Sequence, residues 1–275
     1  MDINAMIMDA AVRFGHASKA ERISIAIQCG ALATEATAES AVCPAELITL
    51  WGSALRDIEV EVRQAAVFGL YLSTPPEAHK FASEIRRVAV DIDTPPQRQN
   101  EAWIVLARIG ERDGICWLAK QLRHDEKATR EAAAKELQKV DGKQLVTCCD
   151  IRHALNDDSE IVQVAGARLL WEGENNTSET VPVLLKMVAN KTSQQRLEAA
   201  GLLCRMGHAA HSALPDLIAL REEDDWTLRL QAVRAIRMIG RNVHDSIDVL
   251  TSLSNDPNQF VAREAREVLT RAMDE

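Results

Sequence analysis

Aromatic residues are scarce in this chain of 275 residues. Phe, Trp and Tyr together make up 4% of the sequence, and Tyr occurs once. Because 47% of the residues are nevertheless hydrophobic, the core must be built mainly from Ala, Leu, Val and Ile, which suits closely packed short helices. Long apolar runs are also lacking, since no stretch reaches the ~18 residues that a transmembrane helix needs. The sequence therefore predicts a helical core and no membrane span.

None of the six cysteines belongs to a recognisable disulfide or zinc pattern. No Cys-x-x-Cys pair occurs, and most of the cysteines lie among apolar residues, where a thiol behaves as a small hydrophobic side chain. A secreted disulfide scaffold is not expected at this length. The N-terminal segment MDINAMIMDAAVRFGH has an acid at position 2 and no basic region before an apolar run. It does not resemble a signal peptide, so we expect a cytoplasmic protein.

The net charge of −9 argues against nucleic acid or an anionic membrane as the partner.

Catalytic signatures are lacking as well. The sequence has no glycine-rich phosphate loop, no nucleophile elbow and no Ser/His/Asp arrangement. Its many carboxylates stand at predicted helix starts, where capping explains them. We therefore expect no enzyme activity and no cofactor.

Two pairs of residues could contribute to a metal site. Cys149 and His153 are spaced so that one face of a helix presents both, and His208 and His211 have a similar spacing. Each pair supplies two ligands, whereas a structural zinc site uses about four. No metal site is predicted.

Small residues recur at a nearly fixed spacing over most of the chain. A period of this length is typical of stacked supersecondary units, each of which contacts only its neighbours. We expect these ruler residues to lie where helices A and B approach closely, because a larger side chain would overpack the contact. The ruler residues are separated by 36, 31, 33, 33, 33 and 33 residues: Ala66, Ala102, Ala133, Gly166, Ala199, Ala232 and Ala265.

Each repeat is predicted to contain two helices, A and B. In the clearest repeat, Leu228, Ala232 and Ile239 share one face of helix A, Gly240 ends that helix, and a second apolar pattern begins at Ile247. The same pattern places the other helices. Helix A is predicted to start near Asp57, Gln97, Asp125, Ser159, Ser193, Asp225 and Asn258, and helix B near Pro76, Asp113, Lys143, Ser178, His211 and Asp245.

The predicted fold is all-α. It is a right-handed α-solenoid of about eight stacked helical hairpins that forms a single domain over residues 1–275. A first, irregular hairpin has helix A near 19–33 and helix B near 44–55. Residues 1–18 are expected to form an N-terminal capping segment, since an end unit must hide its apolar face. The stretch 34–42 is predicted to be the loosest loop.

Several predicted units begin with an acid that is followed five or six residues later by an arginine. The acid can cap helix A by accepting bonds from its N–H groups, and the arginine can reach a loop carboxylate of its own unit or of an adjacent one. We expect these residues to form a structural ladder; a ligand-binding role is the alternative. The pairs are Asp57 with Arg63, Asp125 with Arg130, and Asp224 with Arg229.

The repeated segments resemble HEAT repeats, in particular the short bacterial kind that also occurs in bilin-lyase-like proteins. VRQAAVFGL at 62–70 and LRLQAVRAIRMIG at 228–240 resemble helix A, and TVPVLLKMV at 180–188 and ALPDLIAL at 213–220 resemble helix B with its early proline. The resemblance covers roughly residues 44–270, and the spaced acid and arginine resemble the family's loop acid and helix A arginine. The departures from that arginine, which should weaken the ladder locally, are Gln99, Gln163 and Ala262.

The resemblance implies that the B helices line a concave surface. In the third unit Ile115, Leu118 and Leu122 take the predicted core positions, which leaves Trp117 and Lys120 facing outward. We expect Trp117 to anchor a partner, because Trp is favoured at interface centres; the alternative is that it folds back onto a neighbouring unit. The predicted binding row is Glu84, Arg87, Trp117, Lys120, Asp150, Lys186 and Asp216. Of the other tryptophans, three are expected in the core and the last half exposed: Trp51, Trp103, Trp171 and Trp226.

This architecture favours a non-catalytic scaffold that binds another protein, since a solenoid offers a long pre-formed surface. A toxin-neutralising, immunity-type protein is one bacterial form of such a scaffold. The resemblance also implies a second class, a bilin-lyase-like protein that handles a chromophore or small molecule and needs a deep apolar cleft. A helical-repeat nucleic-acid binder is the third class and needs a basic stripe, whereas the predicted row alternates in charge. We expect a monomer or a subunit of a hetero-complex.

Overall fold

The computed structural model describes residues 3–40, 45–140, 151–239 and 246–274, and these ranges contain helices and connecting turns but no strand. The chain divides into two compact units. The N-terminal unit comprises Met1–Gln121 with Glu136–Cys149, and the C-terminal unit comprises Leu122–Lys135 with Asp150–Glu275. Within the described ranges, no helix is long and apolar enough to cross a bilayer. The single solenoid over residues 1–275 and its handedness stay predictions.

The N-terminal unit is built from helical hairpins at the predicted places. Helices α2, α4 and α6 correspond to predicted helices A, and α3, α5 and α7 to predicted helices B, while α1 lies where the sequence predicts a capping segment. The bounds are α1 (Ile3–Phe14), α2 (Lys19–Ser40), α3 (Ala45–Leu55), α4 (Val60–Ser73), α5 (Ala82–Val90), α6 (Pro96–Arg108) and α7 (Arg112–Gln121), with a 3₁₀ segment at Pro76–Phe81. Helix α8 (Lys127–Leu137), the next predicted helix A, crosses the boundary between the units.

The C-terminal unit continues the alternation. Its helices are α9 (Glu160–Glu174), α10 (Thr177–Ala189), α11 (Arg196–Met206), α12 (Leu214–Ala219), α13 (Trp226–Ile239), α14 (Ile247–Leu253) and α15 (Gln259–Asp274), with 3₁₀ segments at Arg152–Asn156 and Gly207–Ala213. The predicted helix B near His211 begins later than expected, at Leu214, because Pro215 suits the first turn of an α-helix. The predicted starts near Lys143 and Asp245 lie outside the described residues.

Each of the seven ruler residues lies on its own helix A, and all seven are buried. Gly166 shows why a small residue is needed: a Cβ atom built there would lie 2.7 Å from the Cβ of Ala154. The close neighbour belongs to the 3₁₀ segment that precedes α9, not to the helix B that follows it. That segment lies in the stretch predicted as the preceding helix B, which starts near Lys143. The expected close approach of helices A and B therefore occurs at Gly166, between successive hairpins.

A second close approach joins α2 and α4, which are helices A of successive hairpins. A Cβ atom on Gly69 would lie 2.7 Å from the backbone oxygen of Ala26, and one on Gly30 would lie 2.7 Å from the backbone oxygen of Gly69. Trp51 is fully buried beside this crossing, as expected. Larger side chains at either glycine would force the two backbones apart.

Several helices A end in a residue with positive φ. Gly110 has φ 86° and Gly207 has φ 59°, and each lies eight residues after a ruler residue, as the sequence predicts. Thr74, with φ 35°, occupies the same position after Ala66. This conformation costs glycine little. Gly240, the fourth predicted cap, lies outside the described residues.

The predicted loop over 34–42 is wrong for residues 34–40, which belong to α2. The sequence ATEATAES at 33–40 is rich in Ala and Glu, which are good helix formers. Residues 41 and 42 lie outside the described residues. The first helix A is therefore longer than the others because its composition overrides the period.

Candidate binding surfaces

On α5, Glu84 and Arg87 occupy the predicted binding row but are engaged within the N-terminal unit. The Glu84 carboxylate lies 2.6 Å from the Arg56 guanidinium and accepts a hydrogen bond of 2.7 Å from Ser83 Oγ. Burial raises the pKa of Glu84, and the hydrogen bonds from Ser83 and Arg56 outweigh that effect, so the pKa lies below its ordinary value. Arg87 is exposed and donates to the Leu55 backbone oxygen at 3.1 Å. Both residues help to hold α5 against α3.

Trp117 on α7 stacks on Trp103 of α6. Their ring centroids are 6.4 Å apart and their planes differ by 14°. Ile115 and Leu118 are buried as predicted, and Lys120 is exposed one turn after Trp117. Trp117 therefore packs on the helix A of its own hairpin rather than on a neighbouring unit. Both indole rings are half-buried, and Trp103 packs against the buried core instead of lying fully within it, which corrects the expectation for that residue.

The remaining tryptophans are divided between half-buried and exposed positions. Trp171 is half-buried rather than in the core, which corrects the prediction for that residue. Trp226 is 37% exposed, as expected, and stacks on Phe260 with centroids 5.6 Å apart. The Arg263 guanidinium lies 5.8 Å from the Phe260 ring centroid. An aromatic pair thus stands at the starts of α13 and α15.

In the C-terminal unit, Lys186 on α10 and Asp216 on α12 are exposed, as the predicted row requires. Asp150 lies outside the described residues. The structure thus exposes two row residues in this unit, and their role in binding stays a prediction.

The arginine of one hairpin binds the loop acid of the next. Arg22 lies 2.8 Å from Asp57, Arg130 2.8 Å from Asp157, Arg196 2.8 Å from Glu223, Arg229 2.7 Å from Asp256, and Arg63 3.9 Å from Asp91. These ion pairs link successive hairpins, and in each of them the carboxylate comes from the adjacent hairpin.

Within a single hairpin, the predicted acid–arginine pairs are joined by hydrogen bonds to the backbone. Each arginine donates to the main-chain oxygen of the acid: Arg63 to Asp57, Arg130 to Asp125 and Arg229 to Asp224. The side-chain carboxylates of Asp125 and Asp224 are not the partners of these arginines in the ion pairs. Sequence spacing cannot distinguish a main-chain acceptor from a carboxylate.

The ladder acids hold the turns that precede the helices A. The expectation that they cap these helices is wrong for Asp57 and Asp157, since Glu59 and Ser159 occupy the N-cap positions and neither helix has a side-chain cap there. The ladder carboxylates accept hydrogen bonds from the N–H group two residues later: Asp57 from Glu59 at 2.9 Å, Asp157 from Ser159 at 2.9 Å and Asp256 from Asn258 at 2.8 Å. The hydrogen bond from Arg229 outweighs burial at Asp256 and lowers the pKa of that carboxyl. One carboxylate thus stabilises the turn before a helix A and links that turn to the preceding hairpin.

Gln99 and Gln163 replace the ladder arginine. They keep its hydrogen bond to the backbone of the preceding loop but not its ion pair with the next hairpin. Each amide donates to a backbone oxygen in the loop before its own helix. In the loop after Gln99, the position of the ladder acid is occupied by His124. In the loop after Gln163, it is occupied by Asn190. The corresponding positions one repeat later are the acids Asp157 and Glu223. At Gln99 and Gln163 the missing positive charge is thus matched by a missing negative charge in the next loop, so these two departures from the pattern are compensated.

Of the two metal candidates, the structure describes both residues only for the histidine pair. His208 and His211 are exposed with ring centroids 5.5 Å apart. Cys149, the proposed partner of His153, lies outside the described residues. In the part of the chain that the structure describes, no three His, Cys, Asp or Glu side chains converge on a point that could hold a metal ion.

The sequence analysis missed a groove between α11 and α13. It has a volume of about 540 Å³, and its lining includes Gly201, Gln231 and Arg234. Open space beside Gly201 depends on how α13 lies against α11, and the local sequence carries no sign of it. The Trp103–Trp117 stack was also missed, although an apolar stripe that ends in Trp on both helices of one hairpin is a usable signal.

Comparison with known proteins identifies the repeats. The family described as HEAT repeats matches residues 192–270, which include α11 to α14 and most of α15. Among curated proteins, none matches the sequence. An engineered protein solved by a structural genomics consortium aligns with 69% of this chain and 96% of its own length, at 20% identity and a TM-score of 0.51.

Human deoxyhypusine hydroxylase, solved in complex with glycerol, aligns with 99% of this chain and 98% of its own length. Its identity is 15% and its TM-score 0.37, so the likeness supports no conclusion about function. The likeness to the engineered protein shows the helical fold alone. The match to HEAT repeats therefore covers residues 192–270.

Proposed function

We propose that this protein is a non-catalytic scaffold that binds another protein through the surface of its B helices. HEAT repeats commonly serve as protein-interaction scaffolds. Hairpins whose side chains are already held in place lower the ordering cost of binding. A toxin-neutralising, immunity-type role in the cytoplasm is one form of this function, and the net charge of −9 suits a basic partner.

The observation that carries the proposal is the stack of Trp117 on Trp103. Two large rings that support one another lose little side-chain freedom when a partner covers them, and the burial of their remaining apolar surface stabilises the complex. Lys120, exposed on the same helix, adds a charge at the edge of this surface. In this arrangement the rings form the centre of the contact and Lys120 its rim.

The other functional classes have weaker support. A chromophore or small molecule needs a deep, mostly apolar cavity. The cavity of about 470 Å³ beside α1 and α3 contains Arg22 and Asp57, and the groove between α11 and α13 contains several arginines. A nucleic-acid binder needs a basic stripe, whereas the row combines Glu84 and Asp216 with its basic residues.

Affinity purification of the tagged full chain from its native cells, followed by mass spectrometry, tests the proposal. Trp117→Ala removes one ring of the stack, and Lys120→Glu reverses a charge on α7. Lys135→Glu is the matched control, because Lys135 is equally exposed but lies on α8, a helix A.

We expect one protein to be enriched by the wild type and by Lys135→Glu, and to be depleted by Trp117→Ala and Lys120→Glu. The same set of bound proteins for all four forms would contradict a binding site on the B helices. Loss of the bound protein with Lys135→Glu alone would place the site on the helices A instead.

A further inference from the structure

The groove between α11 and α13 lies on two helices A of the C-terminal unit, away from the predicted binding row on the B helices. Its volume is about 540 Å³. Leu197 and Met238 line the groove and are 41% and 44% exposed, so both present apolar surface to solvent. The groove therefore offers apolar surface next to charged groups.

Gly201 keeps the groove open. A Cβ atom built on this residue would meet no other atom within 4 Å, in contrast to Gly166 and Gly69, where a neighbour stands in the way. No packing contact in the described structure requires glycine here, although glycine weakens a helix interior. The missing side chain leaves the floor of the groove empty.

Gln231 presents an unsatisfied polar group in the same groove. The residue is 6% exposed, and its Oε1 is buried with no hydrogen-bond partner among the described residues. Burying an amide without a partner costs free energy. Because the carboxamide can present either its oxygen or its NH₂ group, Gln231 can bind a backbone N–H or a carboxylate of the same ligand.

The charges around the groove are mainly positive, although the whole chain is acidic. Its lining holds Arg205, Arg234 and Arg237 against one carboxylate, Glu198. Arg237 is bound to Glu264 at 2.5 Å, and Arg205 has carboxylates only at 4.0 Å. In the described part of the chain, Arg234 has no carboxylate within ion-pair distance.

Cys204 does not supply the missing negative charge. Its thiol is 3% exposed and donates to the Gln231 backbone oxygen at 3.7 Å. Burial raises the pKa of Cys204 to about 12, although Arg234 and Arg237 oppose this effect. The thiol is therefore neutral at physiological pH, and the charge of Arg234 stays uncompensated from this side.

We propose that the groove between α11 and α13 binds an acidic amphipathic segment of a partner protein. A carboxylate of the segment is held by Arg234 with the Gln231 amide beside it, and apolar side chains of the segment pack on Leu197 and Met238. A polyphosphate chain such as nucleic acid fits less well, because the rim is apolar, Glu198 lies in the groove, and the chain carries a net charge of −9.

Fluorescence anisotropy with defined probes tests this inference on the full chain. The labelled probe is the capped peptide Glu-Leu-Leu-Asp-Glu-Leu-Leu-Glu, and the uncharged control replaces each Glu by Gln and Asp by Asn. A labelled oligothymidylate tests nucleic acid as the alternative ligand. Arg234→Glu reverses the charge in the groove, and Gly201→Leu fills its floor. Arg13→Glu, at an exposed position on α1, makes the same charge change in the N-terminal unit.

We expect the acidic peptide to bind the wild type and Arg13→Glu equally, and to bind Arg234→Glu at least about tenfold more weakly. Gly201→Leu should abolish binding while its melting temperature stays unchanged or rises, and Gly201→Ala verifies that the position tolerates a side chain. Four outcomes would each overturn the inference. Arg234→Glu and Arg13→Glu bind the peptide equally, the uncharged peptide binds as well as the acidic one, no peptide binds, or oligothymidylate binds in place of the peptide. Trp117→Ala should leave peptide binding unchanged, so this result and the test of the B-helix surface are independent.

Discussion

Arg229 and Asp256 form a two-bond ion pair between consecutive hairpins of the C-terminal unit. The Arg229 Nε and Nη2 atoms lie 2.7 and 2.9 Å from the two oxygens of the Asp256 carboxylate. The two side chains are only 14% and 5% exposed, so solvent and salt screen the pair weakly. Since Asp256 also accepts the Asn258 N–H, breaking the pair disturbs a helix start as well as a contact between hairpins.

Removing one partner of this pair should be more harmful than removing both. Arg229→Gln leaves the nearly buried Asp256 without its cation, so we expect a loss of about 2 kcal/mol in the free energy of unfolding. In the double variant with Asp256→Asn, a neutral pair replaces the ion pair, as in the natural combination of Gln163 with Asn190. Chemical denaturation of the two single variants and the double variant measures the coupling.

We expect the double variant to be more stable than the sum of the single losses predicts, by about 1 kcal/mol or more. Additive losses would mean that the two side chains act independently and that the ladder does not link the hairpins.

Acid should destabilise the protein through the ladder carboxylates. Hydrogen bonds from Arg229 and Arg196 lower the pKa values of Asp256 and Glu223 below the ordinary 3.8 and 4.5. The unfolded chain therefore takes up protons first as the pH falls, and the stabilisation, which is complete above the ordinary pKa values, is lost as the pH falls through the lowered ones. Denaturation curves at about pH 6 and about pH 3 should show the loss, and Asp256→Asn should show a smaller one. Equal pH dependence of wild type and variant would contradict this assignment.

Neighbouring alanines on α8 allow a test of the ruler. Ala133 is a buried ruler residue, whereas Ala132 is exposed on the same helix. Ala133→Leu should lower the free energy of unfolding by roughly 1–3 kcal/mol through overpacking, and Ala132→Leu should change it by less than about 0.5 kcal/mol. Urea denaturation measures both. If the two variants have the same midpoint, Ala133 does not occupy a close contact.

Removal of metal should leave the protein unchanged. The described residues provide no set of three ligands, so we expect the melting temperature to be the same with and without a chelator. Differential scanning calorimetry measures it. A drop of several degrees would indicate a site that includes Cys149, which lies outside the described residues.

The sequence predicts the helices A well because each carries a small ruler residue, which marks the buried face of its helix. Ala102 and Ala199 are buried as predicted, and each correctly predicted a glycine eight residues later that ends its helix. The period failed at α2, where the helix formers in 33–40 extend the helix beyond the repeat. Local propensity and the spacing of core residues are separate signals, and here they disagreed.

Tertiary details were less predictable. The spacing of Asp224 and Arg229 indicated a ladder, but only the structure shows that the carboxylate comes from Asp256. The joint replacement of arginine by Gln163 and of the loop acid by Asn190 was visible in the sequence and could have revealed this link between hairpins. No comparable signal exists for the groove beside Gly201, because an empty volume depends on the mutual placement of two helices.

The central claim, that the B-helix surface binds another protein, is tested most directly by isothermal titration with the isolated partner. Trp117→Ala should weaken binding by about 2 kcal/mol. Trp171→Ala, which truncates another half-buried Trp on α9, a helix A, should change it by less than about 0.5 kcal/mol. Unfolding curves confirm that both variants are folded at the temperature of the titration. A loss for Trp171→Ala that equals or exceeds the loss for Trp117→Ala would contradict the account.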